Sequence, residues 1–151
     1  MQLSKFTDYS LRVLIYLGSK PEGLSTIEEI ALRYDISREH LRKIVHNLTT
    51  SGVVEGKRGR RGGLRLAMAP ADIVIGDIVR QTEENFALVE CFDKGGAGCK
   101  IAGTCRLAWM LHEALTAFLA VLDRYTLADV LTAGGQPLLE RLGLIEADAR
   151  A

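Results

Sequence analysis

Three cysteines stand close together in this chain: Cys91, seven residues, Cys99, five residues, Cys105. They lie in or at the edge of a segment that also gathers Gly95, Gly96, Gly98 and Gly103. In a chain without secretory features, such a trio is a metal or redox site more often than a disulfide framework. Structural zinc fits less well. There is no C-x2-C pair, and His112 stands seven residues beyond Cys105, well inside a helical pattern. An iron-sulfur cluster tolerates wider spacings, because its ligands surround a larger body than one ion. Three thiolates leave one iron short of a cysteine, and an iron held by a weaker oxygen or nitrogen donor is where a small reactive molecule could attack. Spacing leaves iron-sulfur, zinc and a plain thiol switch as readings.

The elements that must position these thiols follow from periodicity. Phe6, Val13, Leu14 and Leu17 fall on one face of a first helix that Gly18 and Pro21 end. Ser25 with Glu28 reads as a capping box opening a second, short helix through Ile27, Ile30, Ala31 and Tyr34. After Asp35 and Ile36, Ser37 is the expected N-cap of a third helix. Its inner face is Leu41, Ile44, Val45 and Leu48, and Gly52 closes it. The period then alternates: Val53–Lys57 and Leu64–Met68 read as strands joined by the glycine-rich tip Arg58-Gly59-Arg60-Arg61-Gly62-Gly63. Together these make a mainly α fold, a winged helix-turn-helix over residues 1–70.

Residues 71–104 supply a linking helix, Ile73–Thr82, and the cysteine-bearing loop. Over residues 105–133 a long helix, Arg106–Tyr125, carries Leu107, Leu111, Ala114, Phe118, Val121 and Tyr125 at steps of four and three. A seam of that spacing packs against another helix, and a homodimer with this helix at the two-fold axis is the economical reading; an intramolecular core helix is the alternative. Thr126 and Asp129 cap a short further helix, and residues 134–151 read as a peripheral tail.

Charge gives the winged unit a partner. The net charge is zero, yet residues 1–70 hold twelve Lys/Arg against seven Asp/Glu, and residues 71–151 hold seven against twelve. Basic residues concentrate on the third helix and the wing, which is the electrostatic footprint of a polyanion partner. The outer face of the third helix offers Arg38, Glu39, Arg42, Lys43 and His46 to a major groove. Arg42 and Lys43 can donate to guanine and Glu39 can accept from cytosine. Arg58, Arg60 and Arg61 on the wing suit phosphates or a narrow minor groove. A solvated charged face is the bland alternative.

With 151 residues, 48% of them apolar and 25% charged, the chain reads as about one globular domain's worth, neither disordered nor fibrous. Its longest stretch without Asp, Glu, Lys or Arg is eleven residues, Ile44 to Val54, where a spanning helix needs about twenty. Lys5, Asp8 and Arg12 break any secretory signal, so a cytoplasmic protein is expected. No nucleophile–base pair or phosphate loop is evident, since Gly59-x-x-Gly62-Gly63 lies in a hairpin, so an enzyme is not expected.

Several segments resemble the Rrf2 family of winged-helix regulators: Leu3-x-x-Phe6-Thr7-Asp8-Tyr9-x-Leu11-Arg12, Ile36-Ser37-x-x-His40-Leu41-x-Lys43-Ile44, Arg58-Gly59-x-x-Gly62-Gly63-x-Arg65-Leu66, Ile75-Gly76-Asp77-Ile78-Val79-Arg80 and Tyr125-Thr126-Leu127-Ala128-Asp129. Within that family the chain looks most like the nitric-oxide-sensing repressors. The resemblance implies a homodimer on a palindromic operator in double-stranded DNA. It also implies an iron-sulfur cluster, generally 4Fe-4S with 2Fe-2S left open, on cysteines matching Cys91, Cys99 and Cys105. Asp8, from the other subunit, is implied as the fourth ligand; read alone it would be a surface carboxylate pairing with Arg12 one turn on. The family's iron-sulfur biogenesis regulators carry a histidine three positions after the last cysteine, where this chain has Ala108. Two other readings stand beside this one: a regulator of the same build that senses iron or redox state, and an iron-sulfur carrier or small redox protein whose basic face meets an acidic protein.

Overall fold

The computed structural model describes residues 2–59, 61–92 and 99–146. Helix α1 (Lys5–Gly18) buries Val13, Leu14, Tyr16 and Leu17 and starts at Ser4, whose hydroxyl accepts the Thr7 N–H. Helix α2 (Ile27–Tyr34) and helix α3 (Arg38–Thr50) meet at Asp35, the one non-glycine residue with a left-handed backbone among those described (φ 52°). Ser37 caps α3 as expected, and Leu41, Ile44, Val45 and Leu48 are its buried face. Strands β1 (Val54–Lys57) and β2 (Gly63–Leu66) form an antiparallel hairpin with Val54 opposite Leu66 and Lys57 opposite Gly63.

One expectation at α2 needs correcting. Its capping box is Thr26 with Glu29, one position later than Ser25 with Glu28. Ser25 is fully buried and exchanges backbone hydrogen bonds with Leu64 at 3.0 and 2.8 Å, so it is held as extended chain against the wing and cannot open the helix.

Helix α4 (Ile75–Thr82) packs on α1, and helix α5 (Arg106–Leu122) packs on α4. At 17 residues, α5 is roughly 25 Å long. It stops before Tyr125, which the heptad spacing includes. The chain turns at Asp123, and Tyr125 instead gives its carbonyl to the Ile75 N–H at 2.9 Å. Helix α6 (Leu127–Arg141) starts from the expected Thr126–Asp129 capping box but is not short. It kinks at Gly135 (φ 48°) ahead of Pro137 and continues as helix.

The tail is therefore not peripheral as far as Leu144, while residues 147–151 lie outside those described. Leu142 is 4% exposed, Leu138 and Leu144 pack against the core, and Gly143 (φ 60°) closes the helix with Leu144 N–H on the Leu139 carbonyl. A single core joins Leu14, Ile30, Leu41 and Leu48 to Ile73, Ile78, Leu127 and Leu142, so the winged unit and the segments after residue 70 share one interior. Among the described residues no helix is long and apolar enough to cross a membrane.

Candidate cluster site and nucleic-acid interface

Residues fourteen positions apart meet at the head of α5. Cys91 lies in a short helical turn (Glu90–Phe92), Cys105 is the N-cap of α5, and Cys99 stands between them in sequence. All three line one pocket of about 230 Å³, whose wall is the apolar Val89, Ile101, Leu107, Ala108 and Leu111 together with one carboxylate residue, Glu90. Cys91 and Cys105 are half-buried and Cys99 is exposed, each as a free thiol. Among the described residues no three His, Cys, Asp or Glu side chains converge where a single metal ion would sit. Thiols spread around a pocket suit a multi-iron body better than a lone ion. The Cys105 side chain makes no capping hydrogen bond to the first turn of α5, and the positive end of a helix favours an anionic occupant. The three thiols fit an iron-sulfur cluster whose fourth ligand is not a cysteine. His112 packs edge-on against Phe92, with ring centroids 6.2 Å apart, and is not on the pocket.

Asp8 is not on that pocket in its own chain. Its carboxylate accepts from Arg12 Nε at 3.0 Å and Nη2 at 2.7 Å, and both side chains are more than 40% exposed. The Arg12 guanidinium also lies over the Tyr9 and Tyr34 rings, 5.5 and 5.9 Å from their centroids. Burial pushes the Tyr34 phenol up to about 12, so the ring that Arg12 meets there is neutral.

The basic surface is intact. Arg38, Glu39, Arg42, Lys43 and His46 are all exposed on the outer face of α3, as are Arg58 and Arg61 on the wing; Arg60 lies outside the described residues. Among the described residues, none of Arg38, Arg42, Lys43, Arg58 and Arg61 forms an ion pair, whereas Arg65 is taken up by Glu55 across the hairpin. Gly62 shapes the wing: a Cβ there would stand 2.3 Å from the Lys57 carbonyl oxygen. His40 is exposed as well, its ring tilted against Tyr9 where α1 meets α3.

The α5 seam divides between surfaces. Leu107 and Leu111 border the cysteine pocket, Phe118 lines a cleft against residues 85–88 of its own chain, and Ala114, Val121 and Tyr125 are exposed. No residue of α5 is fully buried. Trp109 and Met110, 61% and 55% exposed, enlarge its apolar surface beyond the heptad positions.

Two ties gave no sign in the sequence. Glu83, just after α4, accepts hydrogen bonds from the start of α1. Arg80 on α4 grips Asp123 at the end of α5 through two bonds of 2.7 and 2.6 Å. The Arg80 hydrogen bonds hold the Asp123 carboxyl below its ordinary range. Gly76 leaves room for that carboxylate, since a Cβ there would fall 1.9 Å from its Oδ1.

A small helical core presents an exposed basic helix and a basic hairpin, and behind them stands a helix headed by thiols. These features define a winged helix-turn-helix regulator of transcription. Residues 3–133 match the family model Rrf2, described as an iron-dependent transcriptional regulator, and the chain belongs to that family. It is 55% identical over 132 residues to the HTH-type transcriptional regulator NsrR of Geobacillus kaustophilus, covering 87% of this chain and 90% of that one. For the NsrR of Bacillus subtilis the identity is 52%, with the same shares covered. Among solved structures, CymR, the global cysteine regulator of B. subtilis, superposes with a TM-score of 0.72 at 27% identity, over 88% of this chain and 98% of that one. T. potens IscR does so with a TM-score of 0.73 at 27% identity, over 91% and 90%.

Proposed function

We propose that the chain is a homodimeric repressor that binds a palindromic operator and loses it when an iron-sulfur cluster reacts with nitric oxide. The cluster, 4Fe-4S in this reading, is held by Cys91, Cys99, Cys105 and Asp8 of the partner subunit. The observation that carries the proposal is the single pocket lined by all three cysteines at the head of α5. Identity of about half the residues with regulators named NsrR supports the same reading. When bound, the cluster supplies an iron with one weak, non-cysteine ligand, open to nitric oxide. The chain's own residues supply the rest. Asp8 is an exposed carboxylate whose in-chain partner is one arginine, and exposed pairs of this kind are held weakly, so redirecting it costs little. The uncovered apolar surface of α5 supports a second copy as its cover.

In the dimer, Glu39, Arg42 and Lys43 read base edges while Arg38, His46, Arg58, Arg60 and Arg61 position the backbone. A tenfold loss of operator affinity requires the competent arrangement to be disfavoured by only about 1.4 kcal/mol. The test is a gel-shift titration of anaerobically reconstituted protein before and after nitric oxide. Visible absorbance from an iron-sulfur chromophore before exposure and weakened operator binding after it are expected. Unchanged affinity rejects the proposal.

A further inference from the structure

The geometry points to Glu83 as the positioning residue that links the cysteine-bearing segment to the DNA-reading helix, an inference that rests on the function proposed above. Glu83 is the first residue after α4, with extended backbone, and stands eight positions before Cys91. Its carboxylate crosses to the start of α1, 79 residues away in sequence, and takes three donors. Oε2 accepts from the Ser4 N–H at 3.0 Å, the Ser4 hydroxyl at 3.1 Å and the Thr7 hydroxyl at 2.5 Å, while Oε1 stands 3.3 Å from the same Ser4 N–H. Ser4 is itself the N-cap of α1. The carboxylate thus sits on the positive end of the helix and bonds the residues that begin it.

Both ends of this contact lead somewhere. Toward the thiols, Glu83 and residues 85–88 line a cleft with Leu3 and with Leu115 and Phe118 of α5, and the chain then enters the cysteine pocket at Val89. Toward DNA, Thr7 is fully buried between Phe6 and Asp8, and Phe6 and Tyr9 meet His40, Lys43 and Ile44 of α3 around a small pocket. A shift of the segment that carries Cys91 is therefore felt at the first turn of α1 through a charged hydrogen-bond cluster, and α1 bears directly on the helix whose outer face carries Arg42 and Lys43. A flexible apolar contact at this point would absorb such a shift; three directional bonds to one carboxylate transmit it.

The test compares operator affinity of the cluster-loaded and cluster-free dimers for the parent, Glu83→Gln and the milder Ser4→Ala, with iron content and thermal unfolding measured on each. Glu83→Gln is expected to keep the parent's iron content while the ratio of loaded to cluster-free affinity falls at least about fivefold, the low end of usual coupling between sites. Ser4→Ala, which removes one of the three donors, is expected to lower that ratio by less. Hydrogen exchange of the α1 amides is expected to differ between loaded and cluster-free parent and to become alike in Glu83→Gln. If both forms of Glu83→Gln lose affinity equally, so that the ratio is unchanged, Glu83 is only a cap for α1 and the inference fails. Should Glu83→Gln prove unfolded, an unchanged ratio in Ser4→Ala overturns it. If the parent itself shows no cluster dependence, the proposed function falls and takes this inference with it, a result distinct from either of the others.

Discussion

Leu142→Ala tests the least expected feature of the fold, the packing of a tail that composition makes look dispensable. Leu142 is 4% exposed at the end of α6, inside the same core as Leu14 and Leu48. Truncating a buried leucine removes its transfer free energy and leaves a partly unfilled cavity, about 2–5 kcal/mol in all. At a mid-range ~3 kcal/mol, with about 2–4 °C per kcal/mol for a chain of this size, the melting temperature falls by roughly 6–12 °C. Leu32→Ala is the control, because Leu32 is 87% exposed on α2 and a surface substitution of this kind stays within about 0.5 kcal/mol. Thermal unfolding of both variants in the cluster-free state, followed by far-ultraviolet circular dichroism, separates packing from cluster binding. If Leu142→Ala is as harmless as Leu32→Ala, the tail does not belong to the core.

Other outcomes follow from the surface and the ties behind it. The double variant Arg58→Ala/Arg61→Ala is expected to weaken binding to all DNA sequences alike and to lower the steepness of the log–log salt dependence by about one for each phosphate no longer neutralised, measured by fluorescence anisotropy across a salt series. Arg42→Ala instead is expected to cost about 1–3 kcal/mol on the operator and to relax base preference at one position in each half-site. Because the Arg80 hydrogen bonds lower the Asp123 pKa, that pair's contribution to stability is complete above the ordinary carboxylate range and is lost as pH falls through the lowered value. Asp123→Asn is thus expected to flatten the acid side of the stability profile below about pH 4. Gly76→Ala, whose Cβ would collide with the Asp123 carboxylate, is expected to flatten it in the same way while leaving Asp123 in place.

The DNA-reading unit is legible in the sequence because its determinants are local. Ser37, the inner face of α3 and the glycine-rich wing each announce themselves within a dozen residues, by capping chemistry, period and backbone freedom. Where a distant partner intervenes, the local signal misleads. Ser25 has the right chemistry to cap α2, but Leu64 claims its backbone and the cap moves to Thr26. Residues 134–151 read as a peripheral tail after a short helix. The structure uses Gly135 for a kink and sets Pro137 in the first turn beyond it, so the apolar residues that follow still reach the core. Glu83 with Ser4 and Arg80 with Asp123 join residues 79 and 43 positions apart, and pairs of that kind leave no periodic trace.

The long helix shows the deeper reason. A stripe at steps of three and four states which side chains avoid water; it does not state what covers them. On α5 one stripe serves three surfaces: Leu107 and Leu111 wall the thiol pocket, Phe118 faces the segment that leads to it, and Val121 is 43% exposed. A substitution on this helix is therefore not a clean probe of assembly unless it lies on the outward surface. Leu111→Ala would disturb the cysteine pocket as well as any interface, whereas Val121 lines neither that pocket nor the cleft beside Phe118. If α5 is covered by a second copy, Val121→Asp buries an unpaired carboxylate there and is expected to shift the protein toward monomer in sedimentation while the isolated fold persists. A monomer–dimer balance indifferent to that charge would show that the exposed surface of α5 is covered by something else.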